Sequence, residues 1–94
     1  MDTYNEPSMA TGKMLAELAG KKVVVGAKQL KKAVAAGRTN RVFLAINADP
    51  AMTEPIVCQC SQYGIEYVWV RSMADLGRAC GIEVGATAAA AVND

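Results

Sequence analysis

The sequence contains no histidine, which removes the commonest general base and the commonest zinc ligand. Without histidine, no serine or cysteine can form the usual nucleophile–base pair. No glycine-rich loop ends in Gly-Lys-Ser or Gly-Lys-Thr, and no paired acidic residues have a spacing suited to acid–base chemistry. We therefore expect a protein that is not an enzyme and that uses no metal and no cofactor.

Cysteine is scarce, and its three copies are an odd number. Cys58 and Cys60 are separated by one position, so in a helix their side chains would point about 200° apart and could not bind one ion. We interpret Cys58, Cys60 and Cys80 as reduced, mostly buried small apolar residues with no metal or redox role.

Long apolar runs are also missing, since no stretch approaches the roughly 20 residues of a membrane span. Asp2 and Glu6 stand where a secretory signal would need basic residues and an apolar core. The chain is therefore expected to be cytoplasmic and to have no membrane partner. Its 94 residues are enough for one packed domain, which we expect to be a monomer.

The composition divides the chain into two parts. Residues 1–12 mix proline, serine, threonine and glycine with few apolar residues, which indicates a flexible N-terminal arm. Residues 13–94 contain the apolar periodicity of a folded domain.

The net charge of +1 conceals a strong segregation. Residues 13–41 hold eight Lys and Arg against one Glu, a charge of +7, and the rest of the chain carries −6. Such asymmetry in a small domain points to nucleic acid as a partner. The alternative is that these charges scatter over the folded surface.

Apolar patterning predicts strands at residues 22–25, 41–48, 65–70 and 87–92. Helices are predicted over residues 13–19 and 28–36, from Thr53-Glu54-Pro55 to Gly64, and from Ser72 to Gly81. Strands that alternate with helices and are apolar on both faces indicate a three-layer α/β/α sandwich around a largely parallel sheet. For residues 87–92 the alternative is a helical ending, which the propensity of alanine favours.

The stretch Gly26-Ala27-Lys28-Gln29-Leu30-Lys31-Lys32 directly follows the apolar strand Val23–Val25. A helix that starts there has unpaired backbone N–H groups and a partial positive charge, which attract anions. With three lysines nearby, an RNA or DNA backbone is a natural partner. The alternative is an ordinary strand-to-helix turn with a solvated lysine face.

A second unusual segment is Ile82-Glu83-Val84, which lies between Gly81 and Gly85. Apolar residues in a loop can be buried under the neighbouring helix. They can also be held at the surface, where they would press against an unstacked base or ribose. The residues alone leave both interpretations open.

Together these segments resemble the kink-turn-binding proteins of the ribosomal L7Ae and L30e superfamily. The resemblance extends from about Lys13 to Val92, and it rests on three stretches in the family's order and spacing: residues 23–32, 42–50 and 76–86. It implies a mixed four-stranded sheet between helices. It also implies binding to RNA duplexes bent at a three-nucleotide bulge that is followed by sheared G·A pairs, in ribosomal RNA, the ribosome itself, riboswitches or other structured RNA.

The resemblance also implies the residues that bind RNA. The archaeal pattern is Gly-x-Asn-Glu-x-x-Lys, which Gly26 and Lys32 match, whereas Lys28 and Gln29 replace the Asn and Glu. Lysine is a donor only, while glutamine keeps a carbonyl acceptor and loses the charge. The implied RNA-binding set is Gly26, Ala27, Lys28, Gln29, Lys31, Lys32, Ile82, Glu83, Val84 and Gly85. The alternative function is an interaction domain that binds a protein or a nucleotide without kink-turn specificity.

Overall fold

The computed structural model describes residues 8–19 and 22–93. In chain order the elements are α1 (Gly12–Leu15), a 3-10 turn (Ala16–Leu18), β1 (Val23–Val25), α2 (Ala27–Ala35), β2 (Arg41–Ala45), α3 (Pro50–Tyr63), β3 (Glu66–Val70), α4 (Met73–Ala79) and β4 (Ala88–Ala91). The strand predicted for residues 87–92 is confirmed as β4. No helix among the described residues has the length and hydropathy needed to cross a membrane.

The four strands form one mixed sheet in the order β1-β4-β2-β3. The β4 strand pairs antiparallel with both β1 and β2, and β2 pairs in parallel with β3. The implied mixed sheet is confirmed, and the prediction of a largely parallel sheet is wrong.

The direction of β4 follows from the connection that precedes it. After α4 the chain folds back along the helix, since Ile82 N donates to Gly77 O at 3.1 Å and Ala86 N donates to Met73 O at 3.0 Å. The chain thus returns to the end of the sheet from which α4 started. It must therefore run through the sheet in the opposite direction to β2 and β3.

Helices cover both faces of the sheet, which confirms the three-layer sandwich. On one face α1, the 3-10 turn and α4 pack around Phe43, Val68 and Leu76. On the other face α2 and α3 pack around Leu30, Val34 and Ile56. The alanines of β4 alternate between these two cores, and their small side chains leave room for large residues from the helices.

The third helix begins earlier than predicted. The Asp49 side chain accepts a hydrogen bond from Ala51 N at 2.9 Å, and Pro50 occupies the first helical turn. Both features stabilise a helix start, so Pro55 lies inside the helix and not at its beginning. The β2 strand correspondingly ends at Ala45, three residues before the predicted end.

The segment before α1 is attached to the sheet. Met9 forms a parallel bridge with Trp69 of the edge strand β3. Trp69 N donates to Ser8 O at 2.8 Å, and Ala10 N donates to Trp69 O at 2.7 Å. The predicted boundary at residue 12 therefore falls inside the folded part of the chain, while residues 1–7 of the predicted arm lie outside the described residues.

Gly77 in α4 lets the returning chain lie directly against the helix. It is buried, and a Cβ built on it would lie 2.1 Å from the Val84 carbonyl oxygen. Any side chain at this position would push the segment 82–85 away from α4.

We expect Gly77→Ala to destabilise the fold by roughly 1–3 kcal/mol, because overpacking outweighs the helix propensity that alanine gains. Gly12→Ala is the matched control, since Gly12 is also helical and a Cβ there meets nothing within 4 Å. It should be neutral or slightly stabilising. Urea unfolding measures both free energies, and equal values for the two variants would contradict this account of Gly77.

Candidate nucleic-acid interface

The predicted binding segments meet at one end of the sheet, where β1 and β2 finish and β4 begins. Because β4 is antiparallel to β1 and β2, its first residue lies beside their last ones. Gly26 N donates to Ala88 O at 2.9 Å, which ties the start of α2 to the start of β4. Residues 26–32 and 82–85 thus flank this end of the sheet, one segment on the α2 face and the other on the α4 face. We call this region the binding edge.

The α2 helix begins without a side-chain cap. Its N-cap is Gly26, whose φ of 102° and ψ of 147° suit glycine and strain other residues. By contrast, side chains of Thr11, Asp49 and Ser72 cap α1, α3 and α4. The first backbone N–H groups of α2 therefore remain available to an external acceptor.

The cationic side chains that follow are exposed. Lys28, Gln29, Lys31 and Lys32 all face solvent, while Leu30, Ala33 and Val34 form the buried stripe of the helix. Lys28 and Lys32 are four residues apart and share a face. The three lysines form no ion pair among the described residues, so the binding edge has a cationic surface.

Arg41 is a cation of the basic segment that does not belong to this surface. It begins β2 at the opposite end of the sheet and forms ion pairs with Glu17 and Glu66. These partners neutralise its charge within the fold. The charge segregation along the sequence is therefore larger than the segregation on the surface.

The two apolar residues of the segment 82–85 differ in exposure. The Val84 side chain is 70% exposed, whereas Ile82 is half-buried and packs against the core on the α4 side of the sheet. Glu83 and Gly85 are exposed. Val84 therefore matches the surface interpretation, and Ile82 matches the burial interpretation.

Three further residues of this edge were not predicted from the sequence. Ile46 and Met52 are 45% and 46% exposed, although Ile46 was placed inside a strand buried on both sides. Asn47 Oδ1 accepts from Met73 N at 2.8 Å, which joins the end of β2 to the start of α4. The pair Asp49-Pro50 is a helix-start signal in the sequence. A helix that begins there would predict that the strand ends near Ala45 and that Ile46 is exposed.

Comparison with known proteins gives a consistent result. The profile of the "Ribosomal protein L7Ae/L30e/S12e/Gadd45 family" matches residues 10–94. An RNA-binding protein of Caldanaerobacter subterraneus is 42% identical over 78 residues, which cover 83% of this chain and 95% of that protein. An RNA-binding protein of Bacillus pumilus is 40% identical over 68 residues, which cover 72% and 83% of the two chains.

A solved structure shows the same fold. The 15.5-kDa RNA-binding protein of Giardia lamblia superposes with a TM-score of 0.80 at 25% sequence identity. The match covers 92% of this chain and 79% of that chain.

The three thiols are free and differ in accessibility. Cys58 is exposed, Cys80 is half-buried and Cys60 is buried in the core between the sheet and α2–α3. Burial raises the pKa of Cys60 to about 11 and also raises the pKa of Cys80. The described residues contain no group of three or more side chains that could hold a metal ion.

We expect iodoacetamide to label Cys58 first, Cys80 more slowly, and Cys60 only when the protein unfolds.

Burial of neutral Cys60 stabilises the fold below pH 9.0, the thiol's ordinary pKa, and this contribution is lost as the pH rises to about 11. Urea unfolding at pH 8 and pH 10 should thus show a smaller loss of stability for Cys60→Ala than for the wild type. The same loss in both proteins would contradict the assigned burial.

Proposed function

Because the chain belongs to the ribosomal protein L7Ae/L30e/S12e/Gadd45 family, we propose that it binds RNA at the binding edge. We propose further that its target is the kink-turn, a duplex bent at a three-nucleotide bulge and followed by sheared G·A pairs. Ribosomal RNA, riboswitches and other structured RNA are the candidate carriers of this motif. The protein acts by binding and not by catalysis, as a cytoplasmic monomer.

The observation that carries this proposal is the uncapped start of α2 beside three exposed lysines. Free N–H groups at a helix start bind phosphate oxygens, and the helix dipole adds to the attraction. Lys28 and Lys32 extend the same positive surface along one face of the helix. A sharply bent duplex crowds its phosphates on one side, so it gains most from such neutralisation.

The exposed Val84 side chain supports the proposed contact with the bulge. An apolar group that is held outward by a backbone packed on Gly77 can cover an unstacked base of the bulge. A single exposed valine is common on protein surfaces, so the support comes from its position at the same end of the sheet as the lysines of α2. Val84 and the cationic edge would thus contact the bulge and the duplex together.

Binding to the bent form is expected to shift the RNA from open to kinked. The protein binds the kinked state better because only that state brings the phosphates and the bulge to both segments at once. A ligand shifts an equilibrium by its differential affinity for the two states. No conformational change of the protein is required for this mechanism.

We expect Gln29 to be the group that reads base edges. Its side chain is exposed one residue after Lys28, and its amide offers both a donor and an acceptor. A guanine of a G·A pair presents complementary groups on its edge. Lys28 has only donors, so it is expected to contact the backbone or an acceptor atom of a base.

The direct experiment uses a kink-turn RNA with a fluorophore on each stem end, whose energy transfer rises when the RNA bends. Addition of the protein should raise the transfer for the intact motif. A control RNA with its G·A pairs replaced by Watson–Crick pairs should show no rise. An equal response of both RNAs, or no response of either, would contradict kink-turn recognition.

For the cationic edge, we expect Lys32→Ala to weaken binding to different kink-turns alike and to lower the salt slope by about one unit. Gln29→Ala should cost roughly 1–3 kcal/mol of binding and reduce the preference for intact G·A pairs. Lys13→Ala removes an equal charge from α1 and serves as the control. If Gln29→Ala prefers intact G·A pairs as strongly as the wild type does, Gln29 does not read these pairs.

For the segment 82–85, the structure predicts opposite effects of two similar truncations. Val84→Ala should keep its unfolding free energy within about 0.5 kcal/mol of the wild type, because this side chain is exposed. It should nevertheless need much more protein to kink the labelled RNA. Ile82→Ala should lose roughly 1–2 kcal/mol of stability through its core contacts.

Thermal melting and the energy-transfer titration separate the two effects. A Val84→Ala protein that kinks the RNA at the wild-type concentration would show that Val84 does not cover the bulge. Ile82→Ala is the matched control, since it should kink the RNA normally as long as it is folded.

A further inference from the structure

A concave surface lies on the side of α4 that faces away from the segment 82–85. It has a volume of about 450 Å³ and opens between the segment before α1, α1 itself, the end of β3 and α4. Met9, Leu15 and Val70 form an apolar floor, and Arg71, Asp75 and Arg78 form a charged rim. We call this surface the α4 groove.

The α4 groove adjoins the binding edge. Arg71 directly follows Val70, whose carbonyl accepts from Ile46 N at 2.9 Å at that same edge. On α4, Asp75 and Arg78 are three residues apart and face the groove, while Met73 and Gly77 face the segment 82–85. The groove and Val84 are therefore separated by about one helix diameter, ~10 Å.

The rim of the groove is suited to an anionic group. Arg71 is exposed and forms no ion pair among the described residues. Arg78 Nη1 donates to Asp75 Oδ1 at 2.9 Å, which leaves other N–H groups of this guanidinium for a second acceptor. Two guanidinium groups against one carboxylate give the rim a net positive charge, which favours a phosphate.

The floor of the groove is suited to a flat apolar group. Met9 is 44% exposed and belongs to the large apolar side chains that face solvent. Its thioether is polarisable and makes favourable contacts with aromatic rings. An apolar floor beside a cationic rim is the combination that unpaired nucleotides require.

We propose that the α4 groove holds one unpaired nucleotide of the bound RNA, with its base against Met9 and its phosphate at Arg71 and Arg78. This proposal rests on the proposed RNA-binding function and adds a second contact to it. The RNA strand would pass over the start of α4, with Val84 on one side and the groove on the other. The two contacts together make the protein sensitive to unpaired nucleotides beyond the one that Val84 covers.

The test pairs protein variants with RNA variants. The RNAs are one kink-turn, with one extra unpaired nucleotide on each strand end, and copies in which each unpaired base in turn is replaced by an abasic site. Met9→Ala should weaken binding of the unmodified RNA about 5- to 10-fold. With one of the abasic RNAs the same variant should bind like the wild type, because the interacting base is already gone.

The charged rim is tested by salt dependence. Arg71→Ala should lower the salt slope by about one unit and weaken binding of the unmodified RNA. Lys13→Ala removes the same charge from α1 without lining the groove, and it should bind like the wild type. Thermal melting of Met9→Ala and Arg71→Ala verifies that both variants are folded at the assay temperature.

Two results would overturn the proposal. Met9→Ala could lose the same factor with every abasic RNA, or Met9→Ala and Arg71→Ala could both bind the unmodified RNA like the wild type. The second result would show that the α4 groove makes no contact with the bound RNA. If Lys32→Ala and Val84→Ala still impair kinking in that case, the proposed function stands and only the α4 groove loses its assignment.

Discussion

The central position of β4 is the constraint on which the rest of the molecule depends. This strand is hydrogen-bonded to β1 and β2 together, so it fixes their directions and joins the two halves of the sheet. It can lie there because its four alanines leave space for helices on both faces. The same strand begins at the binding edge, where Ala88 O accepts from Gly26 N and the carbonyl of the preceding Thr87 accepts from Ala45 N. The strand at the centre of the core therefore also positions the binding edge.

The binding edge differs from the other helix starts in how its polar groups are satisfied. In three helices a side-chain oxygen accepts a hydrogen bond from a backbone N–H of the first turn. In α2 no side chain caps the first turn. Burial of Leu30 and Val34 holds the open turn in place, so stability comes from the opposite face of the helix. Lysines can then crowd the exposed face, although their mutual repulsion offers nothing to the folded chain. Side chains on the exposed face of α2 could therefore be changed without loss of the core contacts of Leu30 and Val34.

Much of the fold was predictable because its signals are local and repeated. Apolar runs identified all four strands, and the cap at Ser72 placed the start of α4. The alanine strand was harder, since alanine prefers helices and only pairing with two neighbours overrides this preference. The start of α3 was misplaced because Pro50 and Pro55 both fit a first turn, and the choice depends on a hydrogen bond that Ala51 N donates to Asp49 Oδ1. The direction of β4 and the division between Ile82 and Val84 both depend on how the chain folds back over Gly77, which is a long-range contact that no local pattern contains.

The bridge between Met9 and Trp69 also determines which backbone groups the sheet leaves open at its borders. Every open sheet ends in strands whose unpaired N–H and C=O groups can template another chain. Here the β3 side is occupied by residues 8–10, and the opposite side is β1, a strand of just three residues. Neither border offers a long register to a neighbouring molecule. The first described residues thus cover one border of the sheet, and the shortness of β1 limits pairing at the other.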